Sequence, residues 1–178
     1  MTEVKTLMKC VDFAAKKHKF QKRKDPERTP YINHPIGVAN ILTEEAKIDD
    51  IVIIQAALLH DTVEDTETTF EELEATFGKE VTDIVREVTD DKSLPSVQRK
   101  QLQIEHAVNA SRAAKLVKLA DKLYNLRDLN RVSPRGWTPQ RIHDYFVWAS
   151  KVVNGCRGTN SYLETSLDQL FKQRQIIL

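Results

Sequence analysis

The sequence predicts an all-α fold, a helical bundle with no sheet, and three observations carry that expectation. Apolar residues recur at spacings of three and four rather than two, the period of a helix with one buried face. Glycines number only five in 178 residues and aromatic residues are few. No stretch shows the alternation that a half-buried strand would need.

Each element has its own signal along the chain. A first helix carries Leu7, Val11, Ala14, Ala15 and His18 on one stripe and runs to a break at Asp25-Pro26. A second begins at Pro35, because proline fits the first helical position, and turns Ile36, Ala39 and Leu42 inward. Asp49 or Asp50 caps a third, which runs from Ile51 through Ala56-Ala57-Leu58-Leu59 to His60-Asp61 and is so apolar that it must be central. Thr69 and Glu72 form a capping box that opens a helix ending before Gly78. Val81, Ile84, Val85 and Val88 mark the next stripe, the segment from Asp90 to Pro95 interrupts it, and a polar helix spans about Ser96 to Val108. Leu116, Leu119, Ala120, Leu123 and Leu126 define a further apolar face. After a loop at Ser133-Pro134 and Gly136, Thr138-Pro139 restarts a helix with Ile142, Phe146, Ala149 and Val153 inside. Gly155 to Gly158 breaks it, and a last helix buries Leu163, Leu167, Leu170 and Phe171. Without a repeat, low-complexity tract or linker, residues 1–178 are expected to form one domain, within the roughly 100–200 residues usual for one.

Composition narrows the function classes. Lys and Arg number 27 against 26 Asp and Glu, so the chain lacks the excess positive charge of a sequence-independent nucleic-acid binder. Cys10 and Cys156 lie far apart, in neither a disulfide ladder nor a CxxC zinc spacing, which fits a reducing compartment. The first residues lack the apolar core of a secretory signal, and no apolar run approaches the roughly 20 residues of a membrane span. A cytoplasmic protein is expected; a homodimer is compatible with the sequence.

Four ionisable residues sit where a core pattern would not put them. His34 opens a helix, His60 and Asp61 end the most apolar helix, and Asp121 interrupts the face between Leu119 and Leu123. Burying a carboxylate costs several kcal/mol unless it is paired or bound to a metal, so Asp61 and Asp121 need a cation. Two imidazoles and two carboxylates suit one divalent ion such as manganese, iron(II) or zinc better than calcium. Four protein ligands leave positions open to water, the nucleophile of a hydrolysis. Residues four apart share a helix face, which stacks Glu64 over His60 and Asp65 over Asp61 as carboxylates able to orient that water and move its proton. Taken singly, each residue has a plain structural use: a helix cap for His34, a buried ion pair with Lys118 or Arg127 for Asp121. The joint occurrence is what points to chemistry.

These residues stand in longer strings: Arg23-Lys24, Pro30-Tyr31-Ile32-Asn33-His34-Pro35, Ala56-Ala57-Leu58-Leu59-His60-Asp61-Thr62-Val63-Glu64-Asp65-Thr66, Phe77-Gly78 with Val88-Thr89, and Val117-Lys118-Leu119-Ala120-Asp121-Lys122-Leu123-Tyr124-Asn125. Together they closely resemble the hydrolase half of the RelA/SpoT family, above all its small stand-alone metazoan SpoT-like members, over nearly the whole chain. The resemblance implies an HD-domain helical fold and a manganese ion on His34, His60, Asp61 and Asp121, with water activation at Glu64 and Asp65. It also implies hydrolysis of guanosine 3′,5′-bis(diphosphate) at the 3′ ester, releasing pyrophosphate, without synthesis. A 2′-phosphorylated ribose presents nearly the same target, so NADPH dephosphorylation is the alternative enzyme reading. A non-catalytic, nucleotide-sensing HD module is the alternative of another class.

For the substrate, Arg23 and Lys24 are placed to meet phosphate oxygens, a fork and a point charge respectively. Lys16, Lys17, Lys19 and Lys22 read as a solvated face. Asn125, one turn after Asp121, can reach what the metal holds. Arg141 and Tyr145, four apart, could form one wall of the pocket, or pack as ordinary helix surface. His18 reads as a satisfied core histidine, and Trp137 and Trp148 as core or lid aromatics. Asp90 stands where bacterial relatives often have a basic residue, which weakens any transfer of substrate contacts to the loop from Thr89 to Ser96.

Overall fold

The computed structural model describes residues 2–177, and among them the fold is all helical. The helices are α1 (Glu3–Lys17), α2 (Asn33–Asn40), α3 (Ile51–Leu59), α4 (Thr62–Asp65), α5 (Phe70–Phe77), α6 (Lys79–Val88), α7 (Ser96–Ala107), α8 (Arg112–Arg131), α9 (Pro139–Gly155) and α10 (Ser161–Gln173). Extended pairing among the described residues is one isolated bridge between Lys22 and Pro30.

Helix α3 is the hub. Seven of its nine residues, Ile53 to Leu59, are buried, because a helix that is apolar all round finds no solvent face to present. It packs against α1, α2, α6 and α8. Asp50 starts it by accepting a hydrogen bond from the Val52 N–H at 2.9 Å. The long α8 runs across α2, α3, α6, α9 and α10 and is capped by Ser111, whose hydroxyl accepts from the Ala114 N–H. Thr69 and Thr138 cap α5 and α9 in the same manner, and Pro139 occupies the first turn of α9. The core these elements enclose runs from Cys10 on α1 to Ile176 beyond α10.

Several boundaries differ from the sequence expectation. Helix α1 stops at Lys17 rather than near Asp25, because the next segment is drawn into a loop closed by the Arg23 N–H on the Thr29 carbonyl and the Tyr31 N–H on the Gln21 carbonyl. Helix α2 begins at Asn33, and its end relaxes into a π turn over Ile41–Glu45, where the Ala46 N–H reaches the Ile41 carbonyl. Ala39 and Leu42 face inward, whereas Ile36 is 42% exposed.

One glycine is required by close packing. A Cβ on Gly37 would lie 2.0 Å from the Tyr124 ring, so only glycine lets α2 and α8 approach here. That approach sets the Tyr124 ring 4.9 Å from His34, edge to face.

Candidate metal centre and its nucleotide-sized cavity

The hub helix ends at Leu59, where the chain bends instead of continuing the helix. Asp61 adopts φ −100° and ψ −2°, and α4 is a separate single turn. This bend turns His60 and Asp61 inward, where α2 supplies His34 and α8 supplies Asp121. His34, His60 and Asp121 each present one ligand atom within 4.8 Å of the others. Asp61 Oδ2 lies 3.1 Å from His60 Nε2 and 3.4 Å from His34 Nε2. His34 Nε2 is 3.1 Å from Asp121 Oδ1. The four residues predicted as ligands are thus brought together.

The donor chemistry fits a divalent cation. His60 Nδ1 is 2.7 Å from the Ala57 carbonyl, which can only accept, so Nδ1 carries a proton and Nε2 is the ring atom turned to the carboxylates and available to a metal. That Nε2 is buried without a hydrogen-bond partner. Burial opposes charge on His60, yet Asp61 and Asp121 outweigh it and hold its pKa well above the usual imidazole value. Burial likewise opposes ionisation of Asp61 and Asp121; His60 and His34 beside the first, and Lys122 with the two imidazoles beside the second, keep both pKa values well below the carboxylate range. Without a metal the two ionised carboxylates are balanced by the proton on His60 and by Lys122; a divalent cation would take that proton's place, which makes the buried cluster a cation-binding set.

Supporting groups hold the carboxylates. The Tyr31 hydroxyl donates to Asp61 Oδ2 at 2.6 Å. Lys122, 6% exposed, donates to Asp121 Oδ2 at 2.8 Å, and Asn125 Nδ2 donates to Asp121 Oδ1 at 2.7 Å. The buried ion pair of Asp121 is therefore with Lys122, while Arg127 forks onto Glu45 and Lys118 lies apart.

Glu64 and Asp65 do not stack on a continuous helix. Glu64 Oε2 accepts the Asp90 N–H at 3.0 Å, and Oε1 lies 4.0 Å from Arg99. Burial pushes the Glu64 carboxyl up to about 7, against the lowering effect of the Asp90 N–H. Asp65 keeps its backbone bond to Asp61, while its carboxylate takes Gln21 Nε2 at 2.8 Å and the Lys92 ammonium.

A cavity of about 480 Å³ adjoins this centre, lined in part by Arg23, Lys24, Tyr31, Asp65, Asn125 and Tyr145. Its size is within the roughly 300–1,000 Å³ range of small-molecule sites. Tyr31 and Asn125 connect it to the metal ligands through their hydrogen bonds to Asp61 and Asp121. Arg23 donates from Nη2 to Asn125 Oδ1 and Asp128 Oδ2, at 2.9 and 3.0 Å, and lies between the Tyr31 and Tyr124 rings. Arg141 is not among the lining residues; it is exposed and stacks over Trp137 at 4.4 Å, and it is Trp137 that joins Tyr145 in the wall. Lys16, Lys19 and Lys22 are exposed, Lys22 at the rim of the cavity, whereas Lys17 is drawn to Glu72 and Glu67 and is largely covered. His18 is buried with Nδ1 on Gln21, but its Nε2 has no partner.

Sequence reasoning passed over Tyr31, Gln21, Lys92, Lys122 and Asp128. A signal existed for Lys122, a cation within the apolar face of α8, and for Tyr31, three residues ahead of His34.

An HD-domain family model matches residues 10–144, most of the chain. The chain belongs to the HD-domain family. Among relatives in this family, the human guanosine-3′,5′-bis(diphosphate) 3′-pyrophosphohydrolase MESH1 is 62% identical over 177 residues, covering 99% of each chain. The Drosophila melanogaster MESH1 is 56% identical and covers 96% of this chain and 95% of its own. A solved structure described as a metazoan ortholog of SpoT that hydrolyzes ppGpp and plays a role in starvation responses superposes with a TM-score of 0.95, at 56% identity and 97% coverage of both chains. A Listeria monocytogenes protein shares the fold at a TM-score of 0.68 and 32% identity, covering 82% of this chain and 97% of its own.

Proposed function

We propose that this HD-domain protein hydrolyses guanosine 3′,5′-bis(diphosphate) at the 3′ position, releasing pyrophosphate and GDP, or GTP from the pentaphosphate. The observation that carries the reading is the convergence of His34, His60, Asp61 and Asp121 beside a cavity of nucleotide size, in a chain that matches 3′-pyrophosphohydrolases over its whole length.

We assign the resident ion as manganese, with iron(II) and zinc also fitting the donor set. When bound, such an ion supplies Lewis acidity and makes water a competent nucleophile near neutral pH. Ionised Glu64 takes the proton from the attacking water, and Asp65 orients that water. Attack falls on the phosphorus attached to ribose O3′, the bond from that phosphorus to O3′ breaks, and O3′ leaves as a hydroxyl with the proton that Glu64 took from the water. Arg23 and Asn125, tied to each other, fix the sugar and phosphates relative to Asp121; Lys24 adds charge at the rim. Tyr145 packs against the nucleoside, and Arg141, stacked on Trp137, braces that wall of the cavity.

We further assign residues 1–178 to one HD hydrolase domain, supported by a core that involves both terminal helices. The cytoplasm is our assigned location, supported by two unpaired, buried cysteines; among the described residues no helix is long and apolar enough to cross a membrane.

The test offers purified protein and manganese the 3′-diphosphate nucleotide and NADPH in parallel, with pyrophosphate and phosphate measured separately. Pyrophosphate release from the first is expected. Phosphate from NADPH alone would transfer the chemistry to a 2′-phosphate substrate, and turnover of neither would leave a nucleotide-sensing module.

A further inference from the structure

The link between α6 and α7, residues 89–95, touches both carboxylates assigned to water activation. The Asp90 N–H is on Glu64, and the Lys92 ammonium is on Asp65. Asp90 is itself anchored, its Oδ2 accepting from Gln103 Nε2 at 2.7 Å, and the turn beyond it is closed by Asp91 on the Ser93 N–H. Lys92 thus extends from a braced loop into the cavity that it helps to line.

The cavity's cations are not equivalent. Arg23 is committed to Asn125 and Asp128 and is confined between two tyrosine rings. Lys22 and Lys24 are exposed at the rim. Lys92 alone among them pairs with an assigned catalytic carboxylate, and its side chain remains 48% exposed. A lysine carries its charge on a flexible four-carbon stem, so it can exchange one anionic partner for another without moving the backbone. Asp65, by contrast, has both oxygens engaged, one by Gln21 and one by Lys92.

We propose that Lys92 is the diphosphate contact of the site: paired with Asp65 in the free protein, it transfers to the 3′-diphosphate of bound substrate and so releases Asp65 to orient the attacking water. A diphosphate offers more charge and more acceptor oxygens than the carboxylate it displaces, which gives the exchange its direction. Lys92 thereby favours a ribose bearing a diphosphate over one bearing a single phosphate. The inference rests on the hydrolase reading above and assigns to the loop a contact that Asp90 does not supply.

The test is product inhibition of the manganese-loaded enzyme, wild type against Lys92→Met and Lys92→Arg, with pyrophosphate and GDP as separate inhibitors. Loss of one charge-assisted contact should weaken pyrophosphate inhibition about 10- to 100-fold in Lys92→Met. GDP inhibition, melting temperature and manganese content should stay near wild type, and Lys92→Arg should restore much of the pyrophosphate effect. Equal weakening for both inhibitors, or weakening for neither, would overturn the assignment of Lys92 while leaving the hydrolase reading intact. A wild-type enzyme that does not hydrolyse the 3′-diphosphate would overturn both.

Discussion

Glu64→Gln separates what the carboxylate does for the reaction from what it costs the fold. Raising a carboxyl from the ordinary 4.5 to about 7 penalises the folded state by about 3 kcal/mol once both states are ionised, at about 1.4 kcal/mol per pH unit. The sign comes from proton counting. Between the unfolded and folded pKa values the native state holds the extra proton, so wild-type stability falls as pH rises through that window. Glutamine has no proton to lose and keeps an oxygen to accept the Asp90 N–H, so the variant avoids the penalty. The two proteins should therefore unfold alike at about pH 4, diverge as pH rises from about 4.5 to 7, and differ by about 3 kcal/mol in favour of Glu64→Gln by about pH 8. For a chain of this length that is roughly 6–12 °C in Tm. Denaturant unfolding in chelator measures the gap directly. Added manganese should narrow it, because a nearby dication lowers the carboxyl pKa. Activity should move the other way, with a loss of about 10²- to 10⁴-fold in rate at retained metal content. A gap that is the same at all pH values, or wild-type turnover in the variant, would refute the assignment of a buried, proton-moving Glu64.

Two further outcomes test the centre and the packing behind it. His60→Ala should lose bound metal by elemental analysis together with activity; chelator should lower the Tm of the wild type and leave that of the variant unchanged, since a ligand that binds only the native state stabilises it. Gly37→Ala should destabilise by about 1–3 kcal/mol in urea unfolding, because its methyl group meets the Tyr124 ring; an unchanged midpoint would mean that α2 and α8 separate without cost.

Helix positions were legible in the sequence wherever burial follows local period. The stripes of α6, α8, α9 and α10, and the caps at Asp50, Thr69 and Thr138, need only neighbours within two turns to be recognised. The end of α1 was not legible, because the run from Lys19 to Lys24 is compatible with a helix and is pulled out of one by partners at Thr29 and Tyr31. The course of the chain just past Asp61 was hidden for a different reason. The end of the apolar run at His60-Asp61 was legible, but the separate turn of α4 was not, so Glu64 and Asp65 read as stacked on a continuing helix.

The site divides along a related line. His34, His60, Asp61 and Asp121 could be read because each violates the core pattern around it, and an ionisable group in an apolar context needs a reason. Lys92, Gln21 and Asp128 violate nothing. They lie on a loop, past a helix end and on a polar helix face, where polar side chains are the default, and only the closing of α4, α8 and the 89–95 loop around one cavity gives them partners. A mechanism built from pattern-breaking residues alone therefore recovers the groups that must be desolvated to work and misses those that stay half in water to meet a charged ligand. That asymmetry is physical: the cost of burial leaves a trace in the sequence, whereas a solvated cation awaiting a phosphate leaves none until its neighbours are in place.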